Sequence, residues 1–331
     1  MEKRQIGGLS VSAIGLGCMS MSQAYGQPDR SESERVLNRA LDCGYTFLDT
    51  ASVYGQGHNE TLIGEVLKGR RSEFVLASKC GLSAKPGGGR AVDGRPESIK
   101  SVCEQSLKRL QTDVIDLYYL HRKDPNVPIE DSVGALADLI AQGKIRHIGL
   151  SEISATTLKK AHRVHPVTAV QSEYSLWTRD PEHNGVLQAC RELQIGFVPF
   201  SPLGRAFLCG TIQDMAQLEA DDMRQGMPRF QGEHFNTNLK LIEPFKQIAK
   251  EQKCSMAQLA LAWVLAQEDG TLVPIPGTKH MKYLEENAAA AEIVLSSHVI
   301  EACNKLINEK TVSGHRYNEK QMASIDTEPD N

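Results

Sequence analysis

Apolar, strand-like runs that end in a titratable residue recur along this chain, and that recurrence restricts the folds open to it. Thr46-Phe47-Leu48 runs into Asp49, residues 74–78 run into Lys79, and residues 114–120 run into His121. Helical stripes separate these runs. Val36, Leu37, Ala40 and Leu41 share one face after a start at Ser31, with Glu34 at the capping-box position. Leu62, Ile63, Val66 and Leu67 follow Asn59; Ile99, Val102, Cys103, Leu107 and Leu110 follow Pro96; Val133, Leu136, Leu139 and Ile140 follow Pro128. Successive parallel strands need such crossovers. The alternation continues with strands at 147–151, 168–171, 195–200 and 271–275, and helices at 155–164, 187–193, 239–252 and 255–267. A strand near 11–16 brings the count to about eight β-α units. The expected architecture is therefore α/β, a single-domain (β/α)8 TIM barrel over residues 1–311. Titratable groups at the C-terminal strand ends would mark its catalytic face.

Other segments read as accessories to the barrel. Residues 5–11 alternate around Gly7-Gly8 and suit a small hairpin closing the floor. Residues 204–238 mix Gly, Met, Asp and Arg and read as a long functional loop. Residues 312–331 read as a polar, partly disordered C-terminal tail.

With 331 residues, 40% hydrophobic and 24% charged, the composition is that of a soluble globular protein. A net charge of −4 offers no reason to expect nucleic acid or an acidic membrane as partner. No apolar stretch approaches the ~20 residues of a membrane span, and Met1-Glu2-Lys3-Arg4-Gln5 lacks the apolar region of a signal peptide. Eight cysteines without a CxxC pair point to reduced thiols and a cytoplasmic location. Gly15-Leu16-Gly17-Cys18-Met19-Ser20 lacks the third glycine of a dinucleotide turn, and Pro86-Gly87-Gly88-Gly89 lacks the lysine of a P-loop. His162 and His165 read as surface residues at a helix end, so no metal site is expected.

Tyr54 lies one short turn beyond Asp49. Together with Lys79 and His121 they form a set able to protonate a carbonyl oxygen. Tyr54 would donate the proton, Lys79 would favour the phenolate, Asp49 would hold Lys79, and His121 would hydrogen-bond the oxygen. Such a set needs no metal. Taken singly, each residue is more simply a surface tyrosine or an unrelated strand-end group; the four together are far more specific. A lysine at a barrel strand end is also a possible nucleophile, which leaves a Schiff-base lyase open.

The same residues carry a resemblance. Gly44-Tyr45-Thr46-Phe47-Leu48-Asp49-Thr50-Ala51-Ser52-Val53-Tyr54-Gly55, Ser78-Lys79 and Ile115-Asp116-Leu117 with Leu120-His121 resemble the signatures of the aldo-keto reductase family. Residues 165–179 are similar to its plant and microbial branch of perakine and pyridoxal reductases. The resemblance implies reduction of a small aldehyde or ketone by NADPH, in a family whose oligomeric state varies. It implies that Ser151, Glu152 and Gln171 hold the nicotinamide carboxamide and that Phe200 stacks on the ring. Ser201, Pro202, Leu203, Gly204 and Arg205 would surround the pyrophosphate. Ile275, Gly277, Thr278 and Lys279 would meet the adenosine and its 2′-phosphate, with Tyr283 beside them and Glu286 and Asn287 on the adenine. Tyr25 and Trp177 are candidates for the substrate pocket, and 204–238 for a loop closing over the cofactor. Some relatives keep fold and cofactor as non-catalytic channel subunits, so a cofactor-binding regulatory protein is the remaining alternative.

Overall fold

The structure, a computed structural model, describes residues 1–84, 89–268 and 271–326. The glycines at 87–88 and the last five residues of the tail lie outside the described residues. The strands are β1 (Lys3–Ile6), β2 (Leu9–Ser12), β3 (Leu16–Gly17), β4 (Phe47–Asp49), β5 (Val75–Cys80), β6 (Leu82–Ala84), β7 (Arg90–Val92), β8 (Ile115–Leu120), β9 (Ile145–Ser151), β10 (Val167–Glu173) and β11 (Gly196–Phe200). The helices that position the site are α1 (Arg30–Asp42), α2 (His58–Leu67), α3 (Pro96–Leu110), α4 (Ile129–Ala141), α5 (Ala155–Val164), α6 (Val186–Leu193), α7 (Gly232–Leu239), α8 (Ile242–Glu251), α9 (Met256–Leu265), α10 (Met281–Ala289), α11 (Ser297–Leu306) and α12 (Glu319–Met322).

Seven strands pair in parallel in the order β3-β4-β5-β8-β9-β10-β11. Residues 272–277 close the ring. Val273 N and Ile275 N donate to Phe197 O and Pro199 O at 3.3 and 3.0 Å, while Gly15 N and Gly17 N donate to Pro274 O and Pro276 O at 2.9 and 3.1 Å. The expected strand at 271–275 is thus an irregular stave. Prolines occupy both positions facing β3 and have no N–H to offer that seam. Gly17 is required there, since a Cβ would lie 2.9 Å from Ile275 O. The glycines of 15–17 therefore serve barrel closure. The first barrel strand is β3; residues 9–12 belong instead to the antiparallel β1–β2 hairpin. That hairpin plugs the floor with Ile6 and Val11, both fully buried against Phe47, Leu117, Tyr119 and Val198.

Two helix starts and the reading of the tail differ from expectation. Asp29 caps α1, accepting from Glu32 N at 2.6 Å, where Ser31 was expected, because Asp29 is the last extended residue. The helix expected from 239 starts at Ile242, and α7 precedes it within the expected loop. The tail, expected to be loose, folds back as far as it is described: Arg316 and Tyr317 are buried, and Ser154 N donates to Asp326 Oδ2 at 3.1 Å. No helix among the described residues is long and apolar enough to cross a membrane.

Candidate active site

Alternate residues of a strand face the same side, and in a barrel that side is the interior. On β5 this places Ala77 and then Lys79 inward, on β4 Phe47 and then Asp49, and on β8 Leu117 and then Tyr119, with His121 next. Register puts Asp49 opposite Ala77 and Lys79 opposite Tyr119. Each inward row is apolar below and polar at its C-terminal end. The Lys79 ammonium donates to Asp49 Oδ1 at 2.5 Å, to Thr50 O at 2.9 Å and to the Tyr54 hydroxyl at 3.4 Å. All three of its donors are thereby used. Burial pulls the Lys79 pKa down most strongly, but Asp49 and Tyr54 outweigh it and the net shift is upward. A lysine held this way stays protonated, which argues against a nucleophilic amine.

Tyr54 sits in a tight turn with positive φ at Gly55 and Gln56. The turn is anchored from below: Thr50 Oγ1 donates to Asn59 Oδ1 at 2.6 Å, and Asn59 Nδ2 donates to Cys18 O at 2.8 Å. The Tyr54 ring meets the edge of His121 at 5.9 Å. Burial, then the charges of Lys79, Arg122 and Arg90, hold His121 well below its usual range, so the imidazole is neutral at pH 7. A neutral imidazole donates one hydrogen bond without adding a charge.

These groups open onto one cavity of about 940 Å³ at the C-terminal barrel face, lined by Asp49, Tyr54 and His121. From them it runs past Ser151, Gln171 and Phe200, along 201–206, to 275–287. Its size and mixed lining suit a large ligand with a few fixed polar contacts. Gln171 Nε2 donates to Asp49 Oδ2 at 2.8 Å, leaving its oxygen to accept. Ser151 Oγ accepts from Arg122 Nη1 at 3.2 Å, leaving its proton to donate.

Residues 13–308 match the sequence profile described as the Aldo/keto reductase family. The chain belongs to the aldo/keto reductases. It is 42% identical over 312 residues to a probable aldo-keto reductase 1 of Glycine max, spanning 94% of this chain and 89% of that protein. It is 43% identical over 319 residues to the aldo-keto reductase yakc [NADP(+)] of Schizosaccharomyces pombe, spanning 95% and 94%. Among solved structures it resembles the glycerol dehydrogenase AKR11B4 of Gluconobacter oxydans, with a TM-score of 0.84 and 27% identity over 92% of this chain and 94% of that one.

Within this aldo/keto reductase, most of the residues expected at the cofactor line the cavity: Ser151, Gln171, Phe200, Ser201, Pro202, Leu203 and Arg205 on one side, Ile275, Gly277, Thr278, Lys279, Tyr283, Glu286 and Asn287 on the other. Tyr25 lines it too, with its ring 5.0 Å from the Arg224 guanidinium. Four expected site residues need correction. Glu152 does not reach the carboxamide position. It is fully buried, and its carboxylate accepts from Glu173 N at 2.8 Å and Arg316 Nη2 at 2.7 Å, because the tail delivers a cation to it. Trp177 stacks on Phe207 at 4.1 Å and closes over Gly204, so both are packing residues. Arg205 is not a free pyrophosphate cation, since its Nη2 donates to Glu173 at 2.6 Å. Lys279 likewise already donates to Tyr25 O at 2.8 Å and Gln27 O at 2.9 Å, leaving one donor.

Several lining residues had gone unnoticed in the sequence: Arg90, Arg122, Arg224, Lys282, Tyr317 and Lys320. Arg122 had a usable signal, since it directly follows His121 at a strand end. Tyr317 and Lys320 had none, since only folding brings the tail to the face. Glu152, Ser201, Arg205 and Ala206 all have positive φ. These non-glycine residues cluster at the C-terminal ends of β9 and β11, where backbone strain accompanies function.

Proposed function

We propose that this chain reduces aldehydes or ketones to alcohols, with NADPH as cofactor and Tyr54 as proton donor. The observation that carries the reading is the Tyr54 hydroxyl: it faces the cavity, 3.4 Å from an ammonium that is itself fixed by Asp49. The lining suits a nicotinamide dinucleotide. Ser151 can donate to a carboxamide oxygen, Gln171 can accept from its NH2, and the half-buried Phe200 ring presents a face for stacking. The reduced nicotinamide supplies a hydride when bound.

The chain's own groups manage the oxygen. As negative charge grows on it, Tyr54 gives up its proton, and Lys79 stabilises the phenolate that remains. Neutral His121 donates to the same oxygen and orients it. Asp49 keeps Lys79 in place and cannot relax toward water, being buried with it. Lys279, Thr278 and Lys282 offer two charges and a hydroxyl at the far end of the cavity, a fit to the 2′-phosphate. The yakc relative is named for NADP(+), which agrees with that assignment.

A panel of aldehydes and ketones, followed by NADPH absorbance in the wild-type protein and in Tyr54→Phe, tests the reading. Turnover that Tyr54→Phe leaves intact removes Tyr54 as acid. Tight NADPH binding with no turnover on any carbonyl favours a regulatory protein of the same fold. A borohydride-trapped adduct on Lys79 favours a lyase.

A further inference from the structure

Three guanidinium groups and two carboxylates meet beneath one side of the cavity. Glu173 pairs with Arg205 at 2.6 Å and with Arg316 at 3.7 Å, and Glu152 pairs with Arg316 at 2.7 Å. The third cation, Arg122, has no carboxylate within ion-pair distance among the described residues, although it is 91% buried. Its Nη1 donates to His121 O at 2.7 Å and to Ser151 Oγ at 3.2 Å. No bond within the chain uses its Nε–Nη2 edge among the described residues. Arg122 lines the cavity between His121 and Ser151. The charge of Arg122 acts on Glu152 without touching it, but the cluster still sets three cations against two carboxylates. An excess buried charge is costly, so a site that keeps one is built to receive its counter-ion.

The surroundings share the sign. Arg90 and Lys320 line the same cavity and form no ion pair among the described residues. Among the described residues, the carboxylates lining it are Asp49, neutralised by Lys79, and Glu286, which stands on α10 with Asn287. Near the reacting position the net field is positive and attracts anions.

We propose that the substrate is a carbonyl compound bearing a carboxylate, held bidentately by the Nε–Nη2 edge of Arg122, with Arg90 at the entrance. The planar fork of a guanidinium matches a carboxylate in geometry as well as charge. The inference rests on the reductase reading for the word substrate, but the anion site stands apart from it.

The test pairs 4-carboxybenzaldehyde with methyl 4-formylbenzoate, two aldehydes on the same ring, one an anion and the other its neutral methyl ester. Wild type should favour the acid at least ~10-fold in kcat/KM, the scale of a hydrogen bond to a charged group. Arg122→Met should lower the acid-to-ester ratio by about 10- to 100-fold, and Arg122→Lys should retain part of it. Arg90→Met, at an exposed position that folding does not need, should lower the ratio by about 2- to 5-fold. An equal ratio in wild type and both Met variants overturns the proposal. Calorimetry with benzoate reads the anion site without turnover. Benzoate binding that Arg122→Met abolishes, in a protein that reduces no carbonyl, keeps the anion site and removes the reductase reading. Reduction of both aldehydes with no acid preference and no benzoate binding does the reverse.

Discussion

The floor and the rim of this cavity are held by different means. Asp49 and Lys79 sit on the adjacent strands β4 and β5, and Gln171 reaches Asp49 from β10 across the barrel interior; hydrogen bonds of 2.5 and 2.8 Å join the three, all nearly fully buried. The rim is assembled from distant pieces. Met223 N donates to Ala24 O at 3.2 Å, Lys279 donates to the carbonyls of Tyr25 and Gln27, and the Arg205 and Arg316 guanidiniums lie 5.3 and 4.9 Å from the Tyr317 ring. Strand register fixes the floor to a fraction of an ångström, as proton transfer requires. Loops and tail make the rim, where ligand choice can vary without disturbing the barrel. A perturbed floor should therefore lose rate, and stability as well where the change strands a buried charge, while a perturbed rim should lose affinity alone.

The widest separation is expected at Tyr54. Tyr54→Phe should cut the rate of carbonyl reduction by ~10²- to 10⁴-fold while leaving NADPH affinity and the melting temperature nearly unchanged. Single-turnover kinetics with a cofactor titration would check it; a near-normal rate breaks the assignment. Lys79→Met comes next. It leaves the Asp49 carboxylate buried without its cation, and breaking a buried pair costs about 3–5 kcal/mol. Urea unfolding should register that loss, and Asp49→Asn combined with Lys79→Met should recover part of it. A single variant as stable as wild type would mean that the pair adds nothing to the floor.

The rim answers more weakly. Lys279→Ala should weaken NADPH binding by ~10- to 100-fold, leave NADH binding nearly unchanged and hardly shift urea unfolding. Equal losses for both cofactors would place the reading of the 2′-phosphate elsewhere, with Lys282 the next position to vary. Amide exchange in 204–238 should slow on adding NADPH if that segment closes over the cofactor; unchanged exchange at saturation would count against closure.

The smallest effect concerns His121. Its folded pKa lies below the 6.5 of an exposed histidine, so between 6.5 and that lowered value the unfolded chain binds a proton that the native chain refuses. Its contribution is therefore complete above pH 6.5 and lost as pH falls, by at most about 1.4 kcal/mol per pH unit. His121→Gln should flatten this part of the stability profile. An identical profile in the variant would show that other groups carry the acid sensitivity.

The floor was legible in the sequence because period-two alternation on a strand is a local property. Once 46–49, 74–79 and 114–121 read as parallel strands, their polar last residues had to share one face of the barrel. The rim was not legible in this way. Nothing local distinguishes Trp177 packed under Gly204 from Trp177 in a pocket, or Lys279 in solvent from Lys279 holding the carbonyls of Tyr25 and Gln27.

By itself, then, the sequence determined the alternation of strands and helices, the apolar inner rows, the three titratable groups at their ends and Tyr54 one turn beyond the first, because each depends on neighbours a few residues away. The tertiary structure alone decided how the barrel closes through the proline-broken stave at 272–277. It decided too that Glu152 turns to Arg316 rather than to the cavity, and that Arg122 forms no ion pair with a carboxylate among the described residues. Those outcomes depend on contacts between residues distant in the sequence, such as Glu152 and Arg316 at a separation of 164. Charge pairing at that range is set by which segments the fold brings together, and no local pattern records it.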